Sequence, residues 1–292
     1  MKIKKAVIAA AGLGTRFLPI TKAVPKPMLP VFDKPTIQYI MEEIKSAGIE
    51  KTAIIVSGDC PVIKNHFSEA KVLEENLKQT GKKDLYDIAM ATRDFGEIEF
   101  IIQPTPNGLA GALLCAEDFI AGEPFALLLG DEIYANKDGD KSCLKKLIDE
   151  YEKTGVSQIA AMEVFGDDIS KYGNFAVNEK SGYNAVYDII EKPSLSDALS
   201  NLAAMGRYAL SSEIFTFIKE LFKTQTKGEV YLTDALKDMA NSIGLYACPF
   251  NDARYDIGDK VGYIKANIEY SLKNEKVSSE IKEYLKELLE TL

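Results

Sequence analysis

The stretch of residues 10–30, AAGLGTRFLPITKAVPKPMLP, gathers residue types that bind a phosphate group. Its glycines, Gly12 and Gly14, would let backbone N–H groups approach an anion closely, because glycine has no side chain to block them. The Arg16 guanidinium offers a planar fork of hydrogen-bond donors to phosphate oxygens. Two lysines and four prolines complete the stretch: Pro19, Lys22, Pro25, Lys26, Pro27 and Pro30. Since the prolines stiffen the backbone that carries the lysines, the stretch predicts a preorganised phosphate-binding loop.

The loop matches neither of the two common phosphate-binding patterns. Phe17 stands where a dinucleotide-binding G-x-G-x-x-G sequence would have its third glycine. The second glycine, lysine and serine or threonine of a P-loop are also missing. The first absence argues against a NAD-dependent oxidoreductase, and both indicate a different kind of phosphate loop.

Carboxylates in two later stretches could hold a metal ion. Asp131 directly follows the apolar run FALLLG, and ligands of open α/β sheets bind at the carboxyl ends of such strands. Mg²⁺ in phosphoryl-transfer sites takes one or two carboxylates together with phosphate oxygens. The pair Asp256 and Asp259 in YDIGDKVGY could serve the same metal, or could simply form a turn.

Composition and charge exclude several classes of function. The 292 residues carry a net charge of −9, which disfavours non-specific binding of nucleic acid because that needs a basic face. A Ser-His-Asp hydrolase would depend on the single histidine, His66, for which a structural role is expected. The four cysteines form no C-x-x-C pair, and no stretch approaches the roughly 20 apolar residues of a membrane span. These features predict a cytoplasmic protein that binds no membrane.

The spacing of apolar residues predicts an α/β fold that would position these candidates. The apolar runs at 5–11, 52–58, 99–103 and 125–131 are typical of buried parallel strands. Further strands are predicted at 157–164, 174–178, 184–193 and 244–250, and helices at 35–48, 211–222, 229–244 and 275–292. Alternation of strand and helix from the start of the chain indicates a doubly wound sheet. The apolar stripe of the last helix is expected to pack on the chain itself rather than on a partner.

At this point the chain is identified by its motifs as resembling the sugar-phosphate nucleotidylyltransferases over nearly its whole length. The resemblance begins with the phosphate loop and its continuation VFDKPTIQYIMEEI. It continues through QPTPNGLAGALLCAEDFI, FALLLGDEI, KYGNFAV, IIEKP, GRYAL, GEVYLTDAL and YDIGDKVGYIKANIEY. The last two stretches are similar to those of the uridylyltransferase branch.

The resemblance implies a fold and a reaction. The fold would be a single nucleotidyltransferase (glycosyltransferase-A-like) domain, 1–292, with a Rossmann-like, doubly wound, mixed and mostly parallel sheet flanked by helices. It would contain a nucleotide-binding half (1–135), a sugar-phosphate half (136–272) and a C-terminal helix (273–292). The reaction would be the Mg²⁺-dependent transfer of UMP from UTP to glucose 1-phosphate, which gives UDP-glucose and pyrophosphate. The chain would form a homodimer or homotetramer.

The resemblance also assigns roles to residues. The nucleotide would be bound by Ala10, Ala11, Gly12, Gly14, Thr15, Arg16, Lys26, Gln103 and Gly108. The sugar phosphate would be bound by Gly173, Glu191 and Lys192, the metal by Asp131 and Asp256, and the catalytic residues would be Arg16, Lys26, Asp131 and Lys192. Neighbours on a strand face opposite sides, so Glu191 and Lys192 can share a ligand only if the strand bends or ends there.

One departure from the family pattern leaves alternatives open. Where the family usually has G-L-G-H-A-V, this chain has Gly108-Leu109-Ala110-Gly111-Ala112-Leu113, which is nearer to the thymidylyltransferase relatives. The same chemistry with dTTP, or with another sugar 1-phosphate, is therefore an alternative. A non-catalytic regulator that binds nucleotide-sugars is an alternative from a different class.

Overall fold

The structure is a computed structural model that describes residues 1–135, 141–224, 230–251 and 253–291. The strands are β1 (Lys5–Ala9), β2 (Pro30–Val31), β3 (Lys34–Pro35), β4 (Lys51–Val56), β5 (Glu97–Ile102), β6 (Phe125–Leu129), β7 (Glu132–Ala135), β8 (Ser157–Glu163), β9 (Gly173–Lys180), β10 (Tyr183–Glu191), β11 (Leu202–Leu210), β12 (Leu245–Pro249) and β13 (Ala253–Asp256). The α-helices are α1 (Thr36–Ser46), α2 (Pro61–His66), α3 (Lys71–Gln79), α4 (Lys83–Ala91), α5 (Gly108–Leu114), α6 (Glu117–Ile120), α7 (Cys143–Thr154), α8 (Ile214–Thr224), α9 (Leu232–Ser242), α10 (Lys260–Lys273) and α11 (Ser278–Glu290).

A large mixed sheet forms the centre of the fold, with the strand order β5-β4-β1-β6-β11-β8-β12-β10-β9. The first four strands of this order run parallel. Strand β11 is antiparallel to both its neighbours, β12 is parallel to β8, and β10 and β9 finish the sheet as an antiparallel pair. Two small ribbons, β2–β3 and β7–β13, lie outside it. The predicted doubly wound mixed sheet is confirmed, with its parallel pairing concentrated in the first half of the chain.

Both faces of the sheet are buried, which explains the nearly continuous apolar runs. Along β1, Ala6 and Ile8 belong to one hydrophobic cluster, whereas Val7 belongs to the cluster on the opposite face. All three side chains are fully buried. Because successive residues of a strand point to opposite faces, a strand covered on both sides must be apolar at every position.

Helix α1 covers the first of these faces with the stripe that the sequence predicts. Ile37, Ile40, Met41 and Ile44, spaced i, i+3, i+4 and i+7, are each at most 1% exposed. Gly48 follows the helix with φ of +83° and ends it in the left-handed region, where glycine costs least.

Strand β11 and helix α10 are among the elements that the sequence patterns do not predict. Strand β11 lies at the centre of the sheet, yet its sequence LAAMGRYAL contains three alanines and a glycine, which are poor strand formers. Helix α10 lacks a single apolar stripe, and Val261 and Ile264 on it are 60% and 57% exposed. Residues of these kinds give no periodic signal, so only their neighbours in the fold define these two elements.

The prediction that the stripe of the last helix packs on the chain itself is wrong for half of the stripe. Helix α11 contains no buried residue, and Tyr284, Leu288 and Leu289 are exposed. Among the described elements, α11 packs mainly on α10, and these three side chains are left uncovered. No helix in that part is long and apolar enough to cross a bilayer.

Candidate active site

The candidate site lies at the carboxyl edge of the parallel strands. Ala10 follows β1, Gln103 follows β5, and Gly130 follows β6. Backbone hydrogen bonds continue past the strand ends and fix all three: Ala10 N–H donates to Ile55 O (2.9 Å), Gln103 N–H to Val56 O (2.8 Å), and Gly130 N–H to Ala9 O (3.0 Å). This is the edge where open α/β sheets bind ligands, so the loops that carry the predicted residues leave the sheet together.

The two glycines of the phosphate loop have different surroundings. No atom lies within 4 Å of the position that a Cβ on Gly12 would take, so ligand atoms could approach the backbone there. Gly14 has a left-handed φ of +64°, and a Cβ on it would lie 2.9 Å from Thr21 Cγ2 and 3.2 Å from Lys26 Cβ. Gly14 therefore packs the loop against the segment that carries Lys26.

Lys26 reaches across to the loop after β6. Its ammonium group donates a hydrogen bond to Asp131 Oδ2, and both side chains are partly buried. Asp256 lies beside them, because a Cβ placed on Gly258 would be 2.6 Å from Lys26 Nζ, 2.7 Å from Asp131 Oδ2 and 2.8 Å from Asp256 Oδ1. Three predicted site residues from distant parts of the chain thus surround one glycine, and a side chain at that position would push their charged groups aside.

The two carboxylates fit the donor set of Mg²⁺. Burial, together with the negative charge of neighbouring Asp131, raises the pKa of the Asp256 carboxyl above its ordinary value. A cation between the two carboxylates would offset that repulsion. The described residues contain no group of three or more His, Cys, Asp or Glu that could hold a metal. A divalent ion at this pair would therefore need further oxygen ligands from a substrate or from water, as Mg²⁺ in phosphoryl-transfer sites does.

Asp259 does not belong to this cluster. Its Oδ2 accepts hydrogen bonds from the N–H groups of Val261 and Gly262, both at 3.0 Å, and it is the N-cap of α10. Such a cap satisfies backbone donors that the helix itself leaves unpaired. The possibility that Asp259 serves the same metal as Asp256 is therefore wrong in this structure.

A cavity of about 270 Å³ opens next to the carboxylate pair. Six of the predicted site residues line it: Arg16, Asp131, Gly173, Glu191, Lys192 and Asp256. A second, smaller cavity is lined by Ala10, Gly12, Lys26 and Asp131. Asp131 lines both, so the phosphate loop and the second half of the chain meet at this residue.

The backbone turns at Lys192, as sharing a ligand between Glu191 and Lys192 requires. Strand β10 ends at Glu191, and Lys192 adopts a left-handed φ of +44°, a conformation that costs a non-glycine residue free energy. Both side chains then line the same cavity, with Lys192 Nζ 3.2 Å from Glu191 Oε1. The N–H of Lys192 donates to Tyr172 O at 3.1 Å and helps to hold the turn.

Thr233 was not predicted from the sequence, yet it touches two of the three sugar-side candidates, Gly173 and Glu191. Its Oγ1 donates to Glu191 Oε2 at 3.1 Å. A Cβ on Gly173 would lie 2.9 Å from Thr233 Cγ2, so the methyl group packs directly on that glycine. The threonine is 7% exposed and lies in the first turn of α9. Through its hydroxyl and methyl group, Thr233 on α9 thus contacts both β10 and β9.

A buried ion pair, Glu132–Arg254, was also missed. Arg254 donates to both carboxylate oxygens of Glu132, at 2.6 Å and 2.9 Å, and its third donor reaches the Tyr172 hydroxyl at 3.1 Å. Burial raises the pKa of the Glu132 carboxyl, but the charge and hydrogen bonds of Arg254 outweigh burial and lower it to about 2. No sequence signal links two residues so far apart in the chain, although each lies within two residues of a predicted metal ligand.

The remaining predicted residues line neither of these cavities. Gln103 is buried and donates hydrogen bonds to Asn107 and Gly108 near the start of α5, and it lines neither cavity. Thr15 and Lys22 are exposed and also line neither. His66 lies elsewhere, with Nε2 3.0 Å from Gln38 Oε1, and burial lowers its pKa. The expected structural role of His66 is consistent with this position.

Comparison with known proteins identifies the family. The family model described as "Nucleotidyl transferase" matches residues 5–273. The chain therefore belongs to the nucleotidyl transferase family, as its motifs predict.

Individual relatives narrow the class. The UTP–glucose-1-phosphate uridylyltransferase of Staphylococcus epidermidis is 45% identical over 98% of this chain and 99% of its own length. A UTP-bound UGPase from Acinetobacter baumannii has a similar structure, with a TM-score of 0.89 and 34% identity over 98% of this chain and 99% of that one. A UDP-glucose pyrophosphorylase complexed with UDP-glucose has a TM-score of 0.84 and 37% identity over 93% of this chain and 100% of that one. The predicted uridylyltransferase branch and the predicted fold are thereby confirmed.

Proposed function

We propose that this chain catalyses the Mg²⁺-dependent transfer of UMP from UTP to glucose 1-phosphate, with release of pyrophosphate. The observation that carries the proposal is the convergence of Lys26, Asp131 and Asp256 around Gly258, between the phosphate loop and the larger cavity. The relatives named UTP–glucose-1-phosphate uridylyltransferase and the UTP-bound neighbour support the choice of substrates.

The nucleotide side of the site uses the loop after β1. The open backbone at Gly12 and the adjacent Ala10 and Ala11 would admit the base and ribose, and Gln103 with Gly108 would meet the base edge. Arg16, which has no ion-pair or hydrogen-bond partner among the described residues, would hold the triphosphate. Lys26 would bind phosphate nearer the α-phosphorus, because it lies beside the carboxylate pair.

The sugar-phosphate side uses β9, β10 and the turn after β10. Glu191 would accept hydrogen bonds from sugar hydroxyls, and buried Gly173 would let the ring lie close to the backbone. Lys192 would bind the phosphate, and its position beside Glu191 would hold both ends of one small ligand.

The chemical step needs orientation and charge compensation more than proton transfer. The attacking oxygen belongs to a phosphate monoester, whose second pKa is about 6, so it is ionised at neutral pH without a general base. This agrees with a site in which no histidine lines either cavity. The residues of the two cavities would hold the sugar phosphate in line with the α-phosphorus and the departing pyrophosphate.

Charge around the site explains why a divalent cation would be needed. The residues that line the two cavities include five cations (Arg16, Lys26, Lys171, Lys192 and Arg254) and four carboxylates (Asp131, Glu132, Glu191 and Asp256), a net charge of only +1. This is too little to balance a nucleoside triphosphate and a sugar phosphate together. Mg²⁺, which Asp131 and Asp256 would hold, supplies the missing positive charge when bound.

We also propose that the chain assembles into a homodimer or homotetramer. The family resemblance implies such an assembly, and the exposed apolar side chains of α11 would offer a surface for it.

A substrate matrix tests the proposed reaction. UTP, dTTP, CTP, ATP and GTP are each combined with glucose, galactose or N-acetylglucosamine 1-phosphate, and pyrophosphate release is measured. The highest kcat/KM is expected for UTP with glucose 1-phosphate. A preference for dTTP would instead establish the thymidylyltransferase alternative, and absence of pyrophosphate with every pair would establish a non-catalytic regulator.

The metal assignment is tested by a matched pair of acid-to-amide variants. Asp131→Asn is expected to lower kcat by about 100-fold or more, with little recovery at high Mg²⁺, because the reacting phosphates lose their fixed counter-charge. Asp259→Asn changes an acid three residues after Asp256 and should keep nearly full activity, since asparagine caps a helix as well as aspartate does. Near-normal activity of Asp131→Asn would overturn the metal assignment.

A further inference from the structure

The side chain of Asn107 connects the start of α5 to Gln103. Gln103 Nε2 donates to Asn107 Oδ1 at 2.8 Å and to the Gly108 carbonyl oxygen at 3.2 Å. Gln103 is 7% exposed, so its amide is largely shielded from solvent at the end of β5. Both N–H groups of that amide are therefore directed at the loop 107–108.

The orientation of the Gln103 amide follows from these contacts. A backbone carbonyl oxygen can only accept a hydrogen bond, so the amide atom that faces Gly108 must be Nε2. Asn107 must in turn present its own oxygen to the second hydrogen of Nε2. The Gln103 carbonyl oxygen, Oε1, is left as the polar atom that makes no hydrogen bond to any described residue.

Gln103 Oε1 is also accessible to a ligand. Among the described residues, the only fully buried side-chain polar atom without a hydrogen bond is Thr52 Oγ1. Gln103 Oε1 makes no hydrogen bond and is not in that class, so it keeps some solvent-accessible surface. The amide thus presents one acceptor, and no donor, to whatever binds at this edge of the sheet.

Asn107 does not have its usual role at a helix start. It is the N-cap residue of α5, where an asparagine side chain ordinarily accepts a hydrogen bond from a backbone N–H of the first turn. No such bond forms here, because Oδ1 accepts from Gln103 instead. The chain forgoes a helix cap, typically worth about 1 kcal/mol, in favour of the bond to Gln103.

Gly111 makes room for this arrangement. A Cβ at position 111 would lie 1.9 Å from Asn107 Oδ1 and 2.3 Å from Asn107 Cγ, far inside any real contact. Any other residue at 111 would displace the Asn107 side chain. The departure at Gly108-Leu109-Ala110-Gly111 therefore has a physical consequence, since it allows Asn107 to hold Gln103.

We infer that Asn107 is a positioning residue that fixes the Gln103 amide so that Oε1 accepts a hydrogen bond from the pyrimidine base. This inference rests on the proposed function. Uracil and thymine carry a ring N–H at position 3 that can donate to Oε1, whereas the corresponding nitrogen of cytosine is an acceptor and would face Oε1 unfavourably. A polar group left unpaired in this way gives strong discrimination. The Gln103 amide, held by Asn107, thus favours uracil and thymine nucleotides over cytosine nucleotides and does not distinguish UTP from dTTP.

The experiment compares Asn107→Ala, Asn107→Asp and Gly111→Ala with wild type, each with UTP and with CTP at a fixed glucose 1-phosphate concentration. Asn107→Ala removes the acceptor and frees the amide to rotate. It should raise KM for UTP about fivefold to tenfold with little change in kcat. The value of kcat/KM for UTP divided by that for CTP should therefore fall. Asn107→Asp keeps an acceptor in place and should retain most of the wild-type ratio. Thr105→Ala, in the same exposed loop, should match wild type.

Gly111→Ala provides an independent check, because it should displace Asn107 without removing it. Its effect and that of Asn107→Ala should not add in the double variant, as expected for residues that act through one contact. KM for glucose 1-phosphate and kcat should both stay nearly unchanged in every variant, whereas a general loss of folding would lower the apparent kcat.

Two results would overturn the inference. One is an unchanged UTP/CTP ratio in Asn107→Ala, and the other is a wild-type protein that uses both nucleotides equally. Either would leave the proposed transfer reaction intact. If the wild type released no pyrophosphate at all, the proposed function would fail instead. Calorimetric binding of UTP and CTP to wild type and Asn107→Ala would then decide the role of Asn107.

Discussion

At Lys192 an unfavourable backbone conformation places a cation where a phosphate is expected. Its left-handed φ of +44° ends β10 and brings two adjacent side chains into one cavity. Residues in such sparsely populated conformations persist only where their surroundings enforce them, and they cluster at functional sites. The backbone hydrogen bond from Lys192 to Tyr172 provides part of that enforcement.

We predict that Lys192→Ala weakens use of the sugar phosphate. The variant loses the ammonium group but keeps the turn, so KM for glucose 1-phosphate should rise about tenfold or more while KM for UTP changes little. Initial rates at varied concentrations of each substrate measure both constants. Lys22→Ala is the matched control, since that exposed lysine lines neither cavity. An unchanged kcat/KM for glucose 1-phosphate would reject the role of Lys192.

We predict that the hydroxyl group of Thr233, rather than its methyl group, controls sugar binding through Glu191. Thr233→Val keeps the shape that packs on Gly173 but removes the donor to Glu191 Oε2, so KM for glucose 1-phosphate should rise about fivefold. Thr233→Ser keeps the hydroxyl and should stay closer to wild type. The same kinetic assay distinguishes the two, and the reverse order of effects would show that packing dominates.

At the scale of elements, the ribbon β7–β13 supports the carboxylate pair. Asp131 directly precedes β7, and Asp256 is the last residue of β13, where it pairs with Glu132. The Glu132–Arg254 ion pair joins the two strands of this ribbon beneath the cavity. The spacing of the two candidate metal ligands therefore depends on a buried pair that touches neither a metal nor, by proposal, the reacting phosphates.

Removal of one member of this pair should destabilise the fold. Glu132→Gln would leave Arg254 buried without its counter-charge, and we expect a loss of about 3 kcal/mol in the free energy of unfolding, measured with urea. Glu97→Gln, at the exposed pair with Lys51, should change this free energy by less than about 1 kcal/mol. Equal effects of the two variants would show that burial of the Glu132–Arg254 pair is unimportant.

The Glu132→Gln variant should also differ from wild type in how its stability depends on pH. The pKa of Glu132 is lowered from 4.5 to about 2 in the folded chain, so its contribution to stability is complete above pH 4.5 and is lost as the pH falls towards 2. Glu132→Gln lacks this group and should lose less stability than wild type across that interval. Urea titrations at several pH values between 2 and 5 measure the difference.

Element prediction from sequence succeeded where a local pattern exists. The continuous apolar runs gave β1, β4, β5 and β6 to within a few residues, and the i, i+3, i+4, i+7 spacing gave α1. Strand β11 could not be found this way, because its residues become strand only through pairing with β6 and β8. Its Arg207, fully buried against Glu43 of α1, would also argue against a core strand when read locally.

For the whole molecule, the candidate site was predictable in its parts but not in its arrangement. The loop glycines, Arg16, Lys26 and Asp131 stand out by residue type and position at strand ends, and the roles of Glu191, Lys192 and Asp256 came from the family resemblance. The sequence gives no sign that Gly258 is the meeting point of Lys26, Asp131 and Asp256, nor that Thr233 and Asn107 orient their neighbours. The contacts at Gly258 and Thr233 join residues that only tertiary structure brings together, whereas the contact of Asn107 with Gln103 depends on how one loop turns.

The assembly of the molecule remains a prediction with a simple test. Sedimentation velocity should give a mass of two or four times the 32.2 kDa of one chain. Leu289→Glu, which places a charge on the exposed face of α11, should lower this mass if that helix takes part in assembly. A wild-type mass of 32.2 kDa would contradict the predicted oligomer.

The paired cations of the site have a consequence for how substrates enter. Lys26, Lys171, Lys192 and Arg254 each already contact an acidic side chain, and only Arg16 among the site's cations has no partner in the described chain. When a phosphate group binds, each of these four cations therefore exchanges a carboxylate partner for a phosphate partner. The strength of substrate binding is therefore set by the difference between two sets of ion pairs.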